Sequence, residues 1–204
     1  MAYLTTIRLL LALATKYDWE VKQGDVGTAF LCSDMDTEVY VTMPRAVLAH
    51  NDRAAAAAAE GRTVYRLLKG VPGIPQGSRL FSKKIHGVLA NAGFTRSEVD
   101  HALYIAAGNI HLVIWTDDMF LFFPTDQAAA AGRMWRAMQA ELDLGAWGDI
   151  GDCLGCTIQR DRPNRTTTLT QTQPIKNLIA RAGLATADSV DTPCATGFIF
   201  IKAD

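Results

Sequence analysis

The sequence predicts a mixed α+β domain, and three observations support this prediction. Apolar residues recur at helical spacing in four segments, shorter alternating or apolar stretches have the period of strands, and Gly and Pro separate the two kinds of segment. The helices and strands do not follow each other in the strict alternation typical of a doubly wound parallel sheet. We therefore expect an α+β fold that contains an antiparallel hairpin.

Composition and charge exclude several classes of protein. Of the 204 residues, 49% are hydrophobic and 20% are charged, which is typical of a chain with a buried core and not of a disordered tail. The 20 basic and 21 acidic residues give a net charge of −1, so any basic surface must be local. Four cysteines are too few for a disulfide framework and predict a reducing, intracellular location.

The N-terminal segment predicts an amphipathic helix and not a signal peptide. Its apolar run at 9–14 is shorter than the hydrophobic region of a signal peptide, and no stretch has the roughly 18 apolar residues that span a bilayer. We therefore expect neither secretion nor membrane association. One face of the helix is apolar: Tyr3, Leu4, Ile7, Leu10, Leu11 and Ala14.

The next two segments are a strand and an insertion. Val21, Gln23 and Asp25 alternate with other residues in a strand-like period, so Asp25 lies near the end of a strand. Residues 45–63 include six alanines at 54–59, which favour a helix but offer nothing to pack. We expect this low-complexity insertion to be a surface excursion without function.

The middle of the chain predicts a helix and then a hairpin. Residues 64–93 contain a strand, a turn rich in Gly and Pro, and a helix that ends at Gly93. Two apolar runs then flank Thr116, Asp117 and Asp118, which predicts a β-hairpin over 111–123, with Pro124 at its end. The apolar stripe of the helix is Leu80, Ile85, Val88, Leu89 and Ala92.

The last third predicts two helices with a short strand between them. The first covers 126–142, with Gly145 as its cap, and the strand covers 153–159. The second begins at Pro174 and ends at Gly183. The residues expected to face the core are Met134, Trp135, Met138 and Leu142 in the first helix, and Ile175, Leu178, Ile179 and Ala182 in the second.

The adjacent carboxylates Asp117 and Asp118 lie in the most hydrophobic stretch, where ionised groups are costly unless a partner compensates. Asp25, at the end of another strand, is the natural third member of a hard-oxygen site suited to magnesium. Two such ions support phosphoryl transfer. Because side chains alternate along a strand, we rank Asp25 and Asp117 first and Asp118 second. The alternative is that adjacent Asp residues are ordinary turn formers.

Several segments together resemble one family, the reverse transcriptase of Ty1/copia-type retrotransposons. In order, they are TTIRLLLALATKYDWEVKQGDVGTAFL, EVYVTMP, VYRLLKGVPGIPQGSRLFSKKIHGVLANAGFTRSEVDHALYI, TDD, LGAWGDIGDCLGCTIQRD, LTQTQPIKNLIARAGL and VDTP. The resemblance implies one palm-like domain over 1–204 of the right-hand polymerase type, with the thumb beginning near 160. It implies that Asp25, Asp117 and Asp118 are catalytic and bind two magnesium ions, with manganese as an alternative.

The resemblance also implies a nucleotide site. Phe30 matches the aromatic residue that packs under the incoming sugar, Gln76 matches a residue that touches nucleotide or template, and Gly77 lets the backbone approach it. The residues alone leave an alternative for each. Phe30 is as expected for a residue of the hydrophobic core, and the Pro-Gln-Gly sequence is as expected for a plain turn.

Charge is distributed unevenly along the chain. Residues 62–84 hold basic residues and no acid, whereas residues 18–38 are mostly acidic. We expect Arg79, Lys83 and Lys84 to contact the phosphates of a duplex, with a solvated helix face as the alternative.

Trp115 is bulkier than the family's Tyr before the acidic pair, and we expect it beside the primer end. Cys153 and Cys156 form a CxxC without a second ligand pair, which favours core positions over zinc.

The function that the resemblance implies is RNA-directed DNA polymerase activity. The partners would be a primed RNA or DNA template, deoxynucleoside triphosphates, and the fingers, ribonuclease H and integrase regions of a parent polyprotein, which we expect outside this sequence. The location would be a cytoplasmic virus-like particle or the nucleus. Two other hypotheses stay open: a catalytically inactive relic that at most binds nucleic acid, and an acidic metal-binding or assembly module.

Overall fold

The computed structural model describes residues 2–153, 155–188 and 190, without the side chains of Ala29 and Phe30. The fold is α+β with antiparallel sheets, as predicted. Six α-helices lie in the described residues: α1 Leu4–Tyr17, α2 Arg45–His50, α3 Asp52–Ala59, α4 Pro75–Asn91, α5 Ala128–Gln139 and α6 Thr172–Arg181. Two single-turn 3-10 helices cover Ala29–Cys32 and Thr125–Gln127. The strands are β1 Glu20–Asp25, β2 Tyr40–Thr42, β3 Val64–Arg66, β4 Thr95–Arg96, β5 Leu103–Ala106, β6 Ile110–Trp115, β7 Asp118–Phe123, β8 Gly148–Asp149, β9 Asp152–Cys153, β10 Cys156–Asp161 and β11 Thr166–Thr170.

The largest sheet has the order β4-β5-β6-β7-β1-β8. Strands β6 and β7 form the predicted hairpin, and β1 lies antiparallel to β7 from Glu20 opposite Phe123 to Asp25 opposite Asp118. This register brings the end of β1 to the turn of the hairpin. Strands β9, β10 and β11 form a second sheet, and β2 pairs with β3.

Both faces of the large sheet are covered, which explains why β7 is almost entirely apolar. On one face, which we call the first core, α4 and α5 pack on the sheet through residues such as Leu89, Trp135 and Leu121. On the other face, the second core, α1 packs through residues such as Leu11 against Phe120. The predicted apolar faces of α1 and α4 are confirmed, except that Tyr3 and Leu4 of the α1 set are exposed.

Residues distant in sequence satisfy both ends of α1. At its N-terminus, Asp100 Oδ2 accepts hydrogen bonds from the N–H of Tyr3 (2.9 Å) and the hydroxyl of Thr6 (2.6 Å). At its C-terminus, Arg160 donates to the carbonyl of Ala14 (3.3 Å) and Arg165 to that of Lys16 (2.6 Å). Because a helix leaves unpaired N–H groups at its start and carbonyls at its end, these contacts fix α1 against the rest of the fold.

Several predicted details are wrong. Helix α6 begins at Thr172, before Pro174, and buries none of its residues, with Leu178 64% exposed, because few residues of the described chain pack on it. Helix α5 ends at Gln139, so Gly145 is not its cap. The strand predicted at 153–159 is two strands, β9 and β10.

The insertion at 45–63 is helical, as its alanines favour, and only Ala54 among the residues of α2 and α3 is buried.

Cys153 is buried and lies opposite Cys156 across the β9–β10 pair. Burial, and then the charges of Cys156 and nearby acids, raise the pKa of the Cys153 thiol to about 11. Cys194, and the part of the predicted thumb beyond 190, lie outside the described residues. In the part of the chain that the structure describes, no helix is long and apolar enough to cross a membrane.

Candidate active site

The end of β1 and the turn of the β6–β7 hairpin carry the three predicted acids. Asp25 is the last residue of β1 and lies directly opposite Asp118, the first residue of β7. Residues paired in this way direct their side chains to the same face of an antiparallel sheet. Asp25 and Asp118 therefore share a face at the rim of the sheet.

Asp117 lies in the two-residue connection between β6 and β7, next to Thr116. Its carbonyl accepts a hydrogen bond from the N–H of Val26 (2.9 Å), which ties the turn to the chain that leaves β1. Thr116 has φ of +55°, a left-handed backbone that β-branched residues rarely adopt. The turn thus holds Asp117 beside Asp25 at the cost of local strain.

One carboxyl oxygen of Asp117 is buried without a partner in the described part of the chain. This atom, Oδ1, accepts no hydrogen bond from the residues that the structure describes. Burial first, and then the negative charges of Asp25 and Asp118, raise the pKa of Asp117 above its ordinary value. Asp117 is therefore close enough to both other acids to feel their charges, although the three lie on two strands and a turn. The ranking of Asp118 below the other two stays a prediction.

These oxygens are the donors that hard divalent cations prefer. Asp117 combines a buried, unpartnered Oδ1 with the nearby negative charges of Asp25 and Asp118, an unfavourable arrangement that a cation would relieve. Among the described residues, however, no group of three or more His, Cys, Asp or Glu side chains is close enough to hold a metal ion. The residues fit a cation that keeps much of its water, and they do not form a closed cage of protein ligands.

The loop after α5 supports the chain as it leaves β1. The N–H of Gly27 donates to the carbonyl of Asp143 (2.7 Å), Val26 forms a bridge with Leu144, and the N–H of Gly145 contacts the carbonyl of Asp25 (3.4 Å). Sequence reasoning did not identify Asp143, since its contact with Gly27 joins distant residues and leaves no local pattern.

Gln76 and Gly77 lie at the start of α4. Gln76 is partly buried and Gly77 is buried. The following turns of α4 and the hairpin line a cavity of about 290 Å³, to which Ser78, Phe81 and Asp117 all contribute. The backbone of Phe30 is in the 3-10 helix Ala29–Cys32, and its side chain lies outside the described residues.

The basic and acidic tracts pair with each other in the fold. Arg79 contacts both carboxylate oxygens of Asp36 (3.0 and 2.8 Å), and Lys69 lies 2.7 Å from Asp34. Lys84 lies 3.6 Å from Glu141, an acid outside the acidic tract. Lys83 is exposed and has no ion pair within the described chain. The charge separation along the sequence is therefore partly neutralised on the surface. Of the three predicted phosphate contacts, Lys83 is the one without an ion pair in the described chain.

Trp115 occupies the last position of β6, opposite Asp118. Its ring is partly buried and packs against the second core. Its neighbours thus include the hydrophobic interior and Asp118, one of the three acids Asp25, Asp117 and Asp118 that we call the acidic cluster.

Comparison with known proteins gives a consistent result. Residues 1–196 match the family described as reverse transcriptase (RNA-dependent DNA polymerase). The chain is 28% identical over 196 residues to the retrovirus-related Pol polyprotein from transposon TNT 1-94 of Nicotiana tabacum, a match that covers 94% of this chain and 14% of that protein. It is 27% and 26% identical to the Pol polyproteins from transposons RE2 and RE1 of Arabidopsis thaliana, again over 94% of the chain but only 13% and 12% of theirs.

No solved structure matches the chain. The sequence segments singled out above and the family match cover the same length of chain, from the first helix to the residues after α6. The chain spans about one seventh of the length of the tobacco polyprotein. It belongs to the reverse transcriptase (RNA-dependent DNA polymerase) family, and its relatives are Pol polyproteins of copia-type transposons.

Proposed function

We propose that this chain is the palm-type catalytic domain of a copia-type reverse transcriptase, which adds deoxynucleotides to the 3′ end of a primer on an RNA or DNA template. The observation that carries this proposal is the convergence of Asp25, Asp117 and Asp118 at one end of the central sheet. The family match supports the same chemistry.

Asp25, Asp117 and Asp118 would hold two divalent cations, magnesium in the first instance and manganese as an alternative. When bound, such ions stabilise the attacking and leaving oxygens of an in-line phosphoryl displacement. The protein's own part is to place the three acids at one end of the central sheet: the register of β1 with β7 sets the positions of Asp25 and Asp118, and the strained turn at Thr116 sets that of Asp117.

The substrates would lie around this cluster. Phe30, Gln76 and Gly77 would contact the incoming nucleotide, and the cavity between α4 and Asp117 supports a ligand on that side. Lys83 would contact backbone phosphate, together with Arg79 and Lys84 where their ion pairs yield, and Trp115 would lie beside the primer end.

The remaining predictions about organisation are also proposals. Residues 45–63 would be an insertion without a catalytic role, and the thumb would begin near 160. The fingers, ribonuclease H and integrase regions would belong to a parent polyprotein, with the reaction taking place inside the cell, in a virus-like particle or the nucleus.

Primer extension on an RNA template tests the proposal. We expect incorporation that depends on magnesium and is abolished by Asp117→Asn. The matched control is Asp126→Asn, an exposed acid just after β7. Extension by Asp117→Asn at the wild-type rate would exclude this site.

A second candidate function is binding without synthesis. It is favoured by one observation, that the acids do not form a ready group of three metal ligands among the described residues. A primer–template complex that weakens steeply with salt, with no extension under any divalent cation, would support this relic instead.

A further inference from the structure

The side-chain amide of Gln23 joins the acidic cluster to a neighbouring loop. Its Nε2 donates to Oδ1 of Asp118 (3.3 Å) and to the carbonyl of Asp152 (3.4 Å). Its Oε1 accepts from the N–H of Gly151 (3.5 Å). The amide thus contacts two parts of the chain, Asp118 in β7 and the adjacent residues Gly151 and Asp152.

The position of Gln23 on the sheet explains this contact. Gln23 is two residues before Asp25 on β1, so the two side chains share a face. The register places Phe120 opposite Gln23 and Asp118 opposite Asp25, so Gln23 reaches Asp118 along a diagonal of the β1–β7 pair. A residue at this position therefore lies on the same face as Asp25 and Asp118.

An amide is a chemically suitable neighbour for a metal-binding carboxylate. It donates one hydrogen bond to Oδ1 without adding a positive charge that would compete with a cation. Within the described chain, no hydrogen bond or ion pair is made by Oδ2 of Asp118, which therefore remains available. The adjacent Lys22 is engaged elsewhere, in an ion pair with Asp149 (2.5 Å).

We infer that Gln23 is a positioning residue, which orients the carboxylate of Asp118 toward a divalent cation and couples it to Gly151 and Asp152 at the start of β9. This inference rests on the proposed function. It assigns Gln23 no contact with substrate: its effect passes through Asp118. Groups that orient metal ligands in this way typically change metal affinity or activity about 10- to 100-fold when they are removed.

The first test measures metal binding without any reaction. Gln23→Met keeps the length of the side chain and removes its hydrogen bonds, and Gln23→Asn keeps an amide that is too short to reach Asp118. With Mn²⁺ as the probe, followed by electron paramagnetic resonance, we expect either variant to bind about tenfold more weakly than wild type. Gln159→Met, an exposed position on β10, is the control and should bind as wild type does.

The second test asks whether the effect passes through Asp118. In a double-mutant cycle, Gln23→Met should no longer weaken Mn²⁺ binding once Asp118→Asn is present. In primer extension, it should lower kcat while the KM for the nucleotide stays within about twofold, since the residue is not placed at the substrate. Equal weakening with and without Asp118→Asn, or a loss that merely follows a lower unfolding temperature, would overturn the inference.

The two proposals can fail separately. If the wild-type protein neither binds Mn²⁺ nor extends a primer, the proposed function fails and the role of Gln23 fails with it. If the wild-type protein does both and the Gln23 variants match it, only the positioning role is overturned.

Discussion

The indole ring of Trp135 occupies the space that a side chain on Gly24 would need. A Cβ atom placed on Gly24 would lie 2.5 Å from Cη2 of Trp135, closer than real Cβ contacts come. Gly24 directly precedes Asp25 in β1, and Trp135 is anchored by a hydrogen bond from Nε1 to the carbonyl of Gly145 (3.2 Å). The first core thus reaches the backbone beside the acidic cluster, and the absence of a side chain at position 24 makes this packing possible.

We predict that Gly24→Ala destabilises the protein by about 1–3 kcal/mol, because an added methyl group overpacks a well-filled core. Urea denaturation measures this change. Gly87→Ala is the matched control: its Cβ would meet no atom within 4 Å on the exposed face of α4, so we expect a gain of up to about 1 kcal/mol from helix propensity. If Gly24→Ala left the free energy of unfolding unchanged, Trp135 would have to move away at little energetic cost.

The contact of Asp100 with the start of α1 predicts a loss of stability in acid. Burial opposes ionisation of Asp100, but hydrogen bonds from Thr6, Tyr3 and Ala102 outweigh it, and the pKa lies below its ordinary value. The stabilisation is therefore present above the pKa of the unfolded chain, near 4, and is lost as the pH falls through the lower folded-state value. Denaturation curves between pH 7 and pH 3 measure it.

In Asp100→Asn, the part of the acid-induced loss of stability that comes from protonation of Asp100 should disappear. At pH 7 the variant should also be less stable by about 1 kcal/mol, as for other losses of a helix cap. Asp126→Asn, an exposed acid, should keep the wild-type pH profile. If Asp100→Asn and wild type lose stability in parallel on acidification, Asp100 does not have the lowered pKa assigned to it.

The backbone conformation at Thr116 predicts that a suitable substitution at this position stabilises the fold. Its φ of +55° is strained for a β-branched residue, whereas Asn tolerates this conformation. We expect Thr116→Asn to stabilise the fold by several tenths of a kcal/mol up to about 1 kcal/mol, seen as a higher unfolding temperature. Thr168→Asn, an exposed site in β11 where Thr is favoured, should be neutral or destabilising. If Thr168→Asn raised the unfolding temperature and Thr116→Asn lowered it, the result would contradict backbone strain at Thr116.

Lys83 predicts a salt-dependent contact with nucleic acid. Because Lys83 is exposed on α4 and makes no ion pair within the described chain, Lys83→Glu should weaken primer–template binding and lower the salt slope by about 1. Fluorescence anisotropy across a salt series measures both. Lys176→Glu makes the same charge change on exposed α6 and should have a smaller effect. Equal effects of the two variants would indicate a general response to net charge.

The sequence predicted much of the local structure correctly. The alternation ending at Asp25, the apolar runs around Asp117 and the stripe of α4 all became the predicted elements, because periodicity reports which residues one side of an element can bury. The same reasoning was wrong for α6. An amphipathic pattern shows that a face is apolar, and it does not show whether the described chain supplies a partner to cover it.

The sequence by itself determined that an acid ends one strand, that two adjacent acids lie at the tip of a hairpin, and that these segments match one family in order. It placed both acids in the turn, whereas Asp118 is the first residue of β7. Only the tertiary structure decided that Asp118 lies opposite Asp25, that the side chain of Gln23 reaches Asp118, and that Arg79 is paired with Asp36. The reason is physical: the first set depends on neighbours along the chain, whereas the second depends on strand register and on contacts between residues far apart in sequence.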